Sequence, residues 1–387
     1  MDAACGHLKT IGYTHMKYYI IAGEASGDLH GSNLMKALQK EDVHAEFRFW
    51  GGDLMQSVGG TLVKHYKERA FMGFAEVLLN INSIFKAISL CKKDIATYKP
   101  DVVIFIDNSG FNLRIAKWAK EQKFKTHYYI SPQVWASRAN RVEKIKKNVD
   151  AMYVILPFVE DFYKKYDYKV HFVGHPLIDA IANRTQVDEY TFRKENQLND
   201  KPIIALLPGS RKQEIKKMLS VMLSVVKDYP SYQFVIAGAP SQEYRFYQQF
   251  ITTKNVTFIS NKTYDLLSIS TAALVTSGTA TLETALFKVP QVVCYKGSWL
   301  SYQIGKRIIT LKFISLVNLI MNKEVVTELI QGEFNAKRLK KELDGILDPY
   351  QRTQFFMNYY ELEKELGGRG ASEKTAKLIY KALLPNT

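Results

Sequence analysis

Two stretches in the second half of the chain join an apolar strand to a small-residue turn and a helix, which is how a fold builds a phosphate site. Ala272-Ala273-Leu274-Val275-Thr276 reads as a strand, Ser277-Gly278 breaks it, and a helix follows through Leu282 and Leu286. Glycine permits tight or left-handed backbone, and Ser277 or Thr279 is placed to cap the helix. Such a corner presents unpaired N–H groups at the positive end of a helix dipole, where phosphate is the usual occupant. Glu283 falls about one turn into the helix, placed to accept hydrogen bonds from sugar hydroxyls beside the phosphate. The plainer alternative is a solvated glutamate on an ordinary corner. The second stretch runs Ile203-Ile204-Ala205-Leu206-Leu207 and then Pro208-Gly209-Ser210-Arg211. A guanidinium at a helix start is unfavourable unless an anion lies in front of it. A diphosphate would supply that anion through charge-assisted hydrogen bonds, and an ion pair of Arg211 with Glu214 is the alternative. Two such turns in one half of the chain suggest a single nucleotide held by one domain.

The first half offers carboxylates instead. Asp107 ends the apolar strand Val102–Ile106, and the C-terminal end of a parallel strand is where α/β folds place their chemistry. It reads either as a general base or as a helix cap worth about 1 kcal/mol. Upstream, the strand Lys17–Ala22 enters the turn Gly23-Glu24-Ala25-Ser26-Gly27-Asp28. This resembles a nucleotide turn, but Glu24 and Asp28 would repel phosphate, so an acceptor cleft is expected there, or a glycine turn made for close packing. His175, in Val173-Gly174-His175-Pro176, is either a site residue or a hydrogen-bonded structural histidine.

These groups need a frame to hold them. The chain has 387 residues, enough for two ordinary domains, and 47% hydrophobic content supports real cores. Strands expected at 203–207, 233–237, 256–259, 272–276 and 291–295 alternate with helices, which describes a second doubly wound unit after a first one. The predicted division is an extension over 1–15 without fixed structure and a first Rossmann-like domain over 16–187. A polar linker follows at 188–201, then a nucleotide-binding domain over 202–348 and helices over 349–387 able to return to the first domain. Three scattered cysteines with no CxxC or His cluster argue against disulfides or structural zinc and for a reducing cytoplasm. No run reaches roughly 18 apolar residues, so no membrane span is expected.

Two surfaces suggest a partner. The formal charge of +15 implies attraction to nucleotides, nucleic acid or an anionic membrane, and no recognisable RNA-binding motif accompanies it. Arg138, Arg141, Lys144 and Lys147 recur at a spacing of three on one helical face, either solvated or facing a phosphate or anionic headgroup. Residues 71–90 carry only two charges, Glu76 and Lys86. They read as a helix buried beneath the sheet, or as an apolar surface that dips into a bilayer or receives an acyl chain.

Taken in order, Ala22-Gly23-Glu24-Ala25-Ser26-Gly27-Asp28, Ser131-Pro132-Gln133-Val134-Trp135-Ala136, Leu156-Pro157-Phe158, Phe172-Val173-Gly174-His175-Pro176, Leu206-Leu207-Pro208-Gly209-Ser210-Arg211 and Ser277-Gly278-Thr279-Ala280-Thr281-Leu282-Glu283 resemble the lipid-A-disaccharide synthase family. The resemblance runs from about Met16 to the C-terminal region. It implies an α/β fold of two Rossmann-like domains facing a cleft (GT-B) and an inverting glycosyltransferase. The implied donor is UDP-2,3-diacylglucosamine and the acceptor 2,3-diacylglucosamine 1-phosphate, giving a β-1′,6 disaccharide and UDP, with no metal or other cofactor. It implies Asp107 as base for the acceptor hydroxyl and Arg211 for the diphosphate. Ser210, Gly209, Ser277, Gly278 and Thr279 would lie near the phosphates, Glu283 on the ribose, and Glu24, Ser26, Asn112 and His175 in the acceptor cleft. Arg138, Arg141 and Lys144 are expected at a membrane or phosphate. Because both implied substrates are acylated, a peripheral position on the cytoplasmic face of the inner membrane is expected, with no specific nucleic-acid partner. Where many members read Asp-x-Pro-Asp-Phe-Asn, Ser109 and Gly110 stand here, so only Asp107 remains as a carboxylate in that loop. Ser137 and Val317 also depart from the usual Trp and Pro. A UDP-N-acetylglucosamine 2-epimerase or another sugar transferase on this fold is the alternative enzyme. A non-catalytic binder of anionic lipid or RNA is the alternative outside enzymology.

Overall fold

The computed structural model describes residues 15–69, 81–137, 139–297 and 312–384. The chain divides into two units. The first takes the chain up to Ile155, with Val159–Gly174 and everything from Gly370 onward; the second takes Leu156–Phe158 and His175–Arg369.

The first unit is built on β1 (Lys17–Ala22), β2 (Glu46–Gly51), β3 (Thr61–His65), β4 (Val102–Ile106), β5 (Lys125–Tyr129), β6 (Ala151–Val154) and β7 (His171–Phe172). They form one parallel sheet in the order β3-β2-β1-β4-β5-β6-β7. A parallel sheet covered on both faces needs strands without a polar side, and Val102–Ile106 meets that with five buried residues in a row. The last helix, Ala371–Leu383, puts Ala376, Ile379 and Leu383 into the core beside Leu34 and Leu38 of the helix Ala25–Glu41.

The second unit repeats the plan with β8 (Ile203–Leu207), β9 (Gln233–Gly238), β10 (Val256–Ser260), β11 (Ser270–Thr276), β12 (Gln291–Tyr295) and β13 (Glu328–Ile330), ordered β10-β9-β8-β11-β12-β13 and all parallel. Residues 188–201 carry the helix Glu189–Glu195, started by the Asp188 carboxylate accepting from Thr191 N–H. Phe192 of that helix is buried against Ile203, Ala205 and Val235, which ties the polar stretch to this unit.

Both sheets reverse direction of growth at one point, between β1 and β4 in the first and between β8 and β11 in the second. Ligands in open α/β sheets bind beyond the C-terminal strand ends at such a point. The turns that follow these four strands are Gly23–Asp28, Asp107–Gly110, Pro208–Arg211 and Ser277–Thr279. Among the described residues no helix is long and apolar enough to cross a membrane.

Candidate active site

In the second unit the turns after β8 and β11 line one cavity of about 560 Å³, together with Ala237–Pro240, Thr263 and Glu283. Gly209 adopts φ +102° and Gly278 φ +143°, values a side chain rarely permits. The Glu214 carboxylate folds back over the first turn: Ser210 N–H donates to its Oε2 at 3.3 Å, and a Cβ on Gly209 would stand 2.3 Å from that oxygen. Glu214 is therefore occupied by its own turn, and Arg211 has no ion pair among the described residues. The alternative of an Arg211–Glu214 ion pair is not seen among the described residues.

At the second turn the expected side-chain cap is absent. Gly278 is the N-cap residue of the helix Thr279–Leu286, and Ser277 Oγ instead donates to the Ile314 carbonyl at 2.9 Å. No side chain caps the first turn of this helix, and Gly278, Thr279 and Ala280 line the cavity. Glu283 sits one turn further and is half-buried, accepting from the Tyr264 hydroxyl at 3.0 Å. Burial raises its pKa and the Tyr264 hydrogen bond partly offsets this. Thr276, at the end of β11, has a buried hydroxyl with no hydrogen-bond partner that lines the same cavity. Neither Thr276 nor Tyr264 stands out in the sequence. Thr276 looks like the last residue of a strand, and Tyr264 lies 19 residues from the carboxylate it meets.

In the first unit Asp107 lies just past β4, in left-handed backbone at φ +45°, followed by Asn108 at φ +42°. Successive left-handed non-glycine residues are strained, and the surroundings hold them. Asp107 N–H donates to Tyr129 O at 3.2 Å, while its carbonyl accepts from Asn112 Nδ2 at 2.9 Å and from the Tyr128 hydroxyl. With the main chain clamped, the carboxylate stays accessible to solvent. Desolvation by the surrounding protein, with the charge of Glu24 as a second cause, raises its pKa, and the Asn108 N–H partly opposes this. The carboxylate does not cap the helix Ser109–Glu121, whose N-cap is Asn108. Gly23 is required here, because a Cβ would stand 2.0 Å from Asn108 Nδ2. Glu24 and Ser26 are exposed at the start of the helix Ala25–Glu41, next to that turn.

Other expected residues lie elsewhere. Asn112 is fully buried, its Nδ2 reaching the carbonyls of Ile106, Asp107 and Ile21, so it pins the ends of β1 and β4 and does not face a cleft. His175 is buried in the second unit as the N-cap of the helix Pro176–Ala182, its Nδ1 accepting from Leu177 N–H at 3.2 Å, which is the structural reading of that residue. Asp28 does not shape a cleft either. Its carboxylate accepts from Gly52, Leu54 and Met55 N–H at 2.7, 3.0 and 3.0 Å. Arg138 and residues 71–80 lie outside the described residues, as do residues 1–14. Arg141 closes a short 3-10 turn, Ala139–Arg141, and Lys144 lies on the helix Val142–Asn148, so 139–147 is not one continuous helix. Residues 81–90 open the helix Ile81–Tyr98, with Phe85 62% and Leu90 46% exposed, so this part is not buried beneath the sheet.

Residues 18–381 match the family model for lipid-A-disaccharide synthetase. The chain belongs to the lipid-A-disaccharide synthase family. It is 38% identical over 371 residues to the lipid-A-disaccharide synthase of Geobacter metallireducens, covering 94% of this chain and 96% of that one. Identity to the synthase of Syntrophus aciditrophicus is 40%, covering 92% and 95%. Among solved structures, the UDP-GlcNAc 2-epimerase of Methanocaldococcus jannaschii in complex with UDP-GlcNAc and UDP superposes with a TM-score of 0.65 at 15% identity, over 95% of this chain and 100% of that one. At that identity the likeness concerns the fold alone, which is of the GT-B type. Lipid-A-disaccharide synthases are glycosyltransferases of lipid A biosynthesis, and this chain is an enzyme of that class.

Proposed function

We propose that the enzyme transfers 2,3-diacylglucosamine from UDP to the 6-hydroxyl of 2,3-diacylglucosamine 1-phosphate, with inversion, releasing UDP. The observation that carries this reading is the joining of both phosphate-type turns and Glu283 in one cavity of the second unit, in a chain of this family. The unpaired Arg211 guanidinium and the uncapped N–H groups after Gly278 oppose the charge that develops on the β-phosphate as UDP departs. Ser210 and Thr279 line the same space, and Glu283, with one oxygen held by Tyr264, accepts hydrogen bonds from the ribose hydroxyls. Asp107 takes the proton of the acceptor hydroxyl. Inversion demands attack on the face of the anomeric carbon opposite UDP, and a base with a raised pKa suits transfer near neutral pH. Because donor and acceptor are acylated, the enzyme works at the cytoplasmic surface of the inner membrane.

UDP release measured with each acylated substrate alone and with both together tests the reading. Release only with both supports it. Release without acceptor, or none with both, refutes it.

A further inference from the structure

The helix Ser109–Glu121 presents Gly110, Leu113, Arg114 and Lys117 at successive helical spacings, and Arg141, Lys144, Ile145 and Asn148 recur in the same rhythm along the turn and helix that follow. These two faces line a groove of about 430 Å³. Four cations reach it and no carboxylate does. Lys117 has Glu121 at 3.9 Å, whereas Arg114, Arg141 and Lys144 make no ion pair among the described residues. Some cations of this unit are paired, Lys120 with Asp150, Lys64 with Glu68 and Arg48 with Asp94 at 2.7 Å, and others such as Lys36 and Lys99 make no ion pair among the described residues. What sets this groove apart is that four converge on it. Gathering like charges without a counter-ion is unfavourable by Coulomb's law, so the arrangement fits an anion supplied from outside.

The groove opens beside the turn that carries Asp107. Gly110 and Arg114 line both this groove and a larger cavity of about 650 Å³, whose walls include Ile84, Ala87, Leu90 and Phe111. A basic groove and an apolar cavity thus share a wall within a few residues of the candidate base.

We propose that Arg114, Arg141 and Lys144 bind the phosphomonoester of the acceptor, with the neighbouring cavity taking an acyl chain. This rests on the reading of the acceptor as an acylated sugar 1-phosphate and assigns its phosphate to named residues. The phosphate makes charge-assisted hydrogen bonds to the guanidinium groups, and the adjoining helix start adds favourable dipole. Binding there anchors the sugar while leaving its 6-hydroxyl free to approach Asp107.

The test compares the phosphorylated acceptor with the same diacylglucosamine lacking its phosphate, using wild type, Arg141→Gln and Lys144→Gln. Each substitution should raise the acceptor KM about tenfold for the phosphorylated form, leave the KM of the dephosphorylated form unchanged, and leave the donor KM unchanged. Equal effects on both acceptors overturn the proposal. Weaker binding to vesicles of anionic lipid with no phosphate-dependent KM change also overturns it, and assigns the groove to a headgroup. If wild type makes no disaccharide, the proposed reaction itself fails, and titration with glucosamine 1-phosphate then decides the groove. Binding weakened by Arg141→Gln supports an anion site, and unchanged binding removes it.

Discussion

Replacing Asp107 by Asn isolates the proton acceptor from everything else the residue does. The main-chain contacts of Asp107, to Tyr129, Asn112 and Tyr128, do not involve its carboxylate. The φ of +45° disfavours most side chains, but Asn is among the few residues that visit this region readily. Alanine there would add backbone strain and confuse the result. The carboxylate forms no cap and no ion pair whose loss would destabilise the fold. Its folded-state pKa lies above the ordinary value, so the ionised form is the less favoured one in the native protein. The stability associated with its proton is complete below the unfolded pKa and is lost as pH rises through the folded pKa. At neutral pH the Asn variant should therefore melt at or slightly above the wild-type temperature. Loss of a general base lowers turnover by about 10²–10⁴-fold, while UDP affinity should hold. The wild-type rate should show an acid limb above the ordinary aspartate value of about 3.9. Glu24→Gln should move that limb to lower pH, because removing a neighbouring negative charge eases ionisation of Asp107. Steady-state rates across pH, with calorimetric melting of each variant, measure all of this. A variant that turns over within a few-fold of wild type refutes the assignment. One that loses activity only in proportion to lost folded protein makes Asp107 a structural residue.

Three further outcomes follow from the same geometry. Arg211→Ala and Glu283→Ala should each weaken UDP by on the order of 1.5–3 kcal/mol in calorimetric titration, and unchanged affinity in both would move the nucleotide elsewhere. Tyr264→Phe removes the hydrogen bond that favours ionised Glu283, so its pKa should rise and UDP affinity should begin to fall at a higher pH than in wild type, with poorer discrimination of UDP from dUDP. An unchanged pH profile would leave Tyr264 a packing residue. Vesicle flotation should show association that high salt weakens only in part, because ions screen Arg141 and Lys144 but not the exposed Phe85 and Leu90. Full release would leave charge as the whole cause, and no binding would refute a membrane surface here.

The sequence made the strand ends legible because buried parallel strands are continuous apolar runs and phosphate turns need small residues in a fixed order. Val102–Ile106 and Ile203–Leu207, with the turns after them, lie where their sequence places them. What could not be read is which polar groups are already engaged. Asp28 looks like a cleft carboxylate until strand order brings Gly52, Leu54 and Met55 N–H to it from 24 to 27 residues away. Asn112 and His175 sit in site-like motifs yet satisfy backbone groups, one between two strand ends and one at its own helix start. Tyr264 and Thr276 carry no motif: Tyr264 contributes through Glu283, 19 residues further on, and Thr276 through β11 lying beside β8. The strands β2 and β3, with polar residues interrupting their apolar runs, and the short strands β6 and β13 are not legible in the same way.

The central claim is that two acylated sugars are condensed and not that one sugar is rearranged. Mass spectrometry and NMR of the product formed by purified protein from UDP-2,3-diacylglucosamine and 2,3-diacylglucosamine 1-phosphate test it directly. The account predicts a tetraacyl disaccharide phosphate with a β-anomeric 1′,6 linkage and one UDP per disaccharide. An α linkage would contradict inversion, and inactivity on this pair with epimerisation of UDP-N-acetylglucosamine would contradict the transferase account altogether.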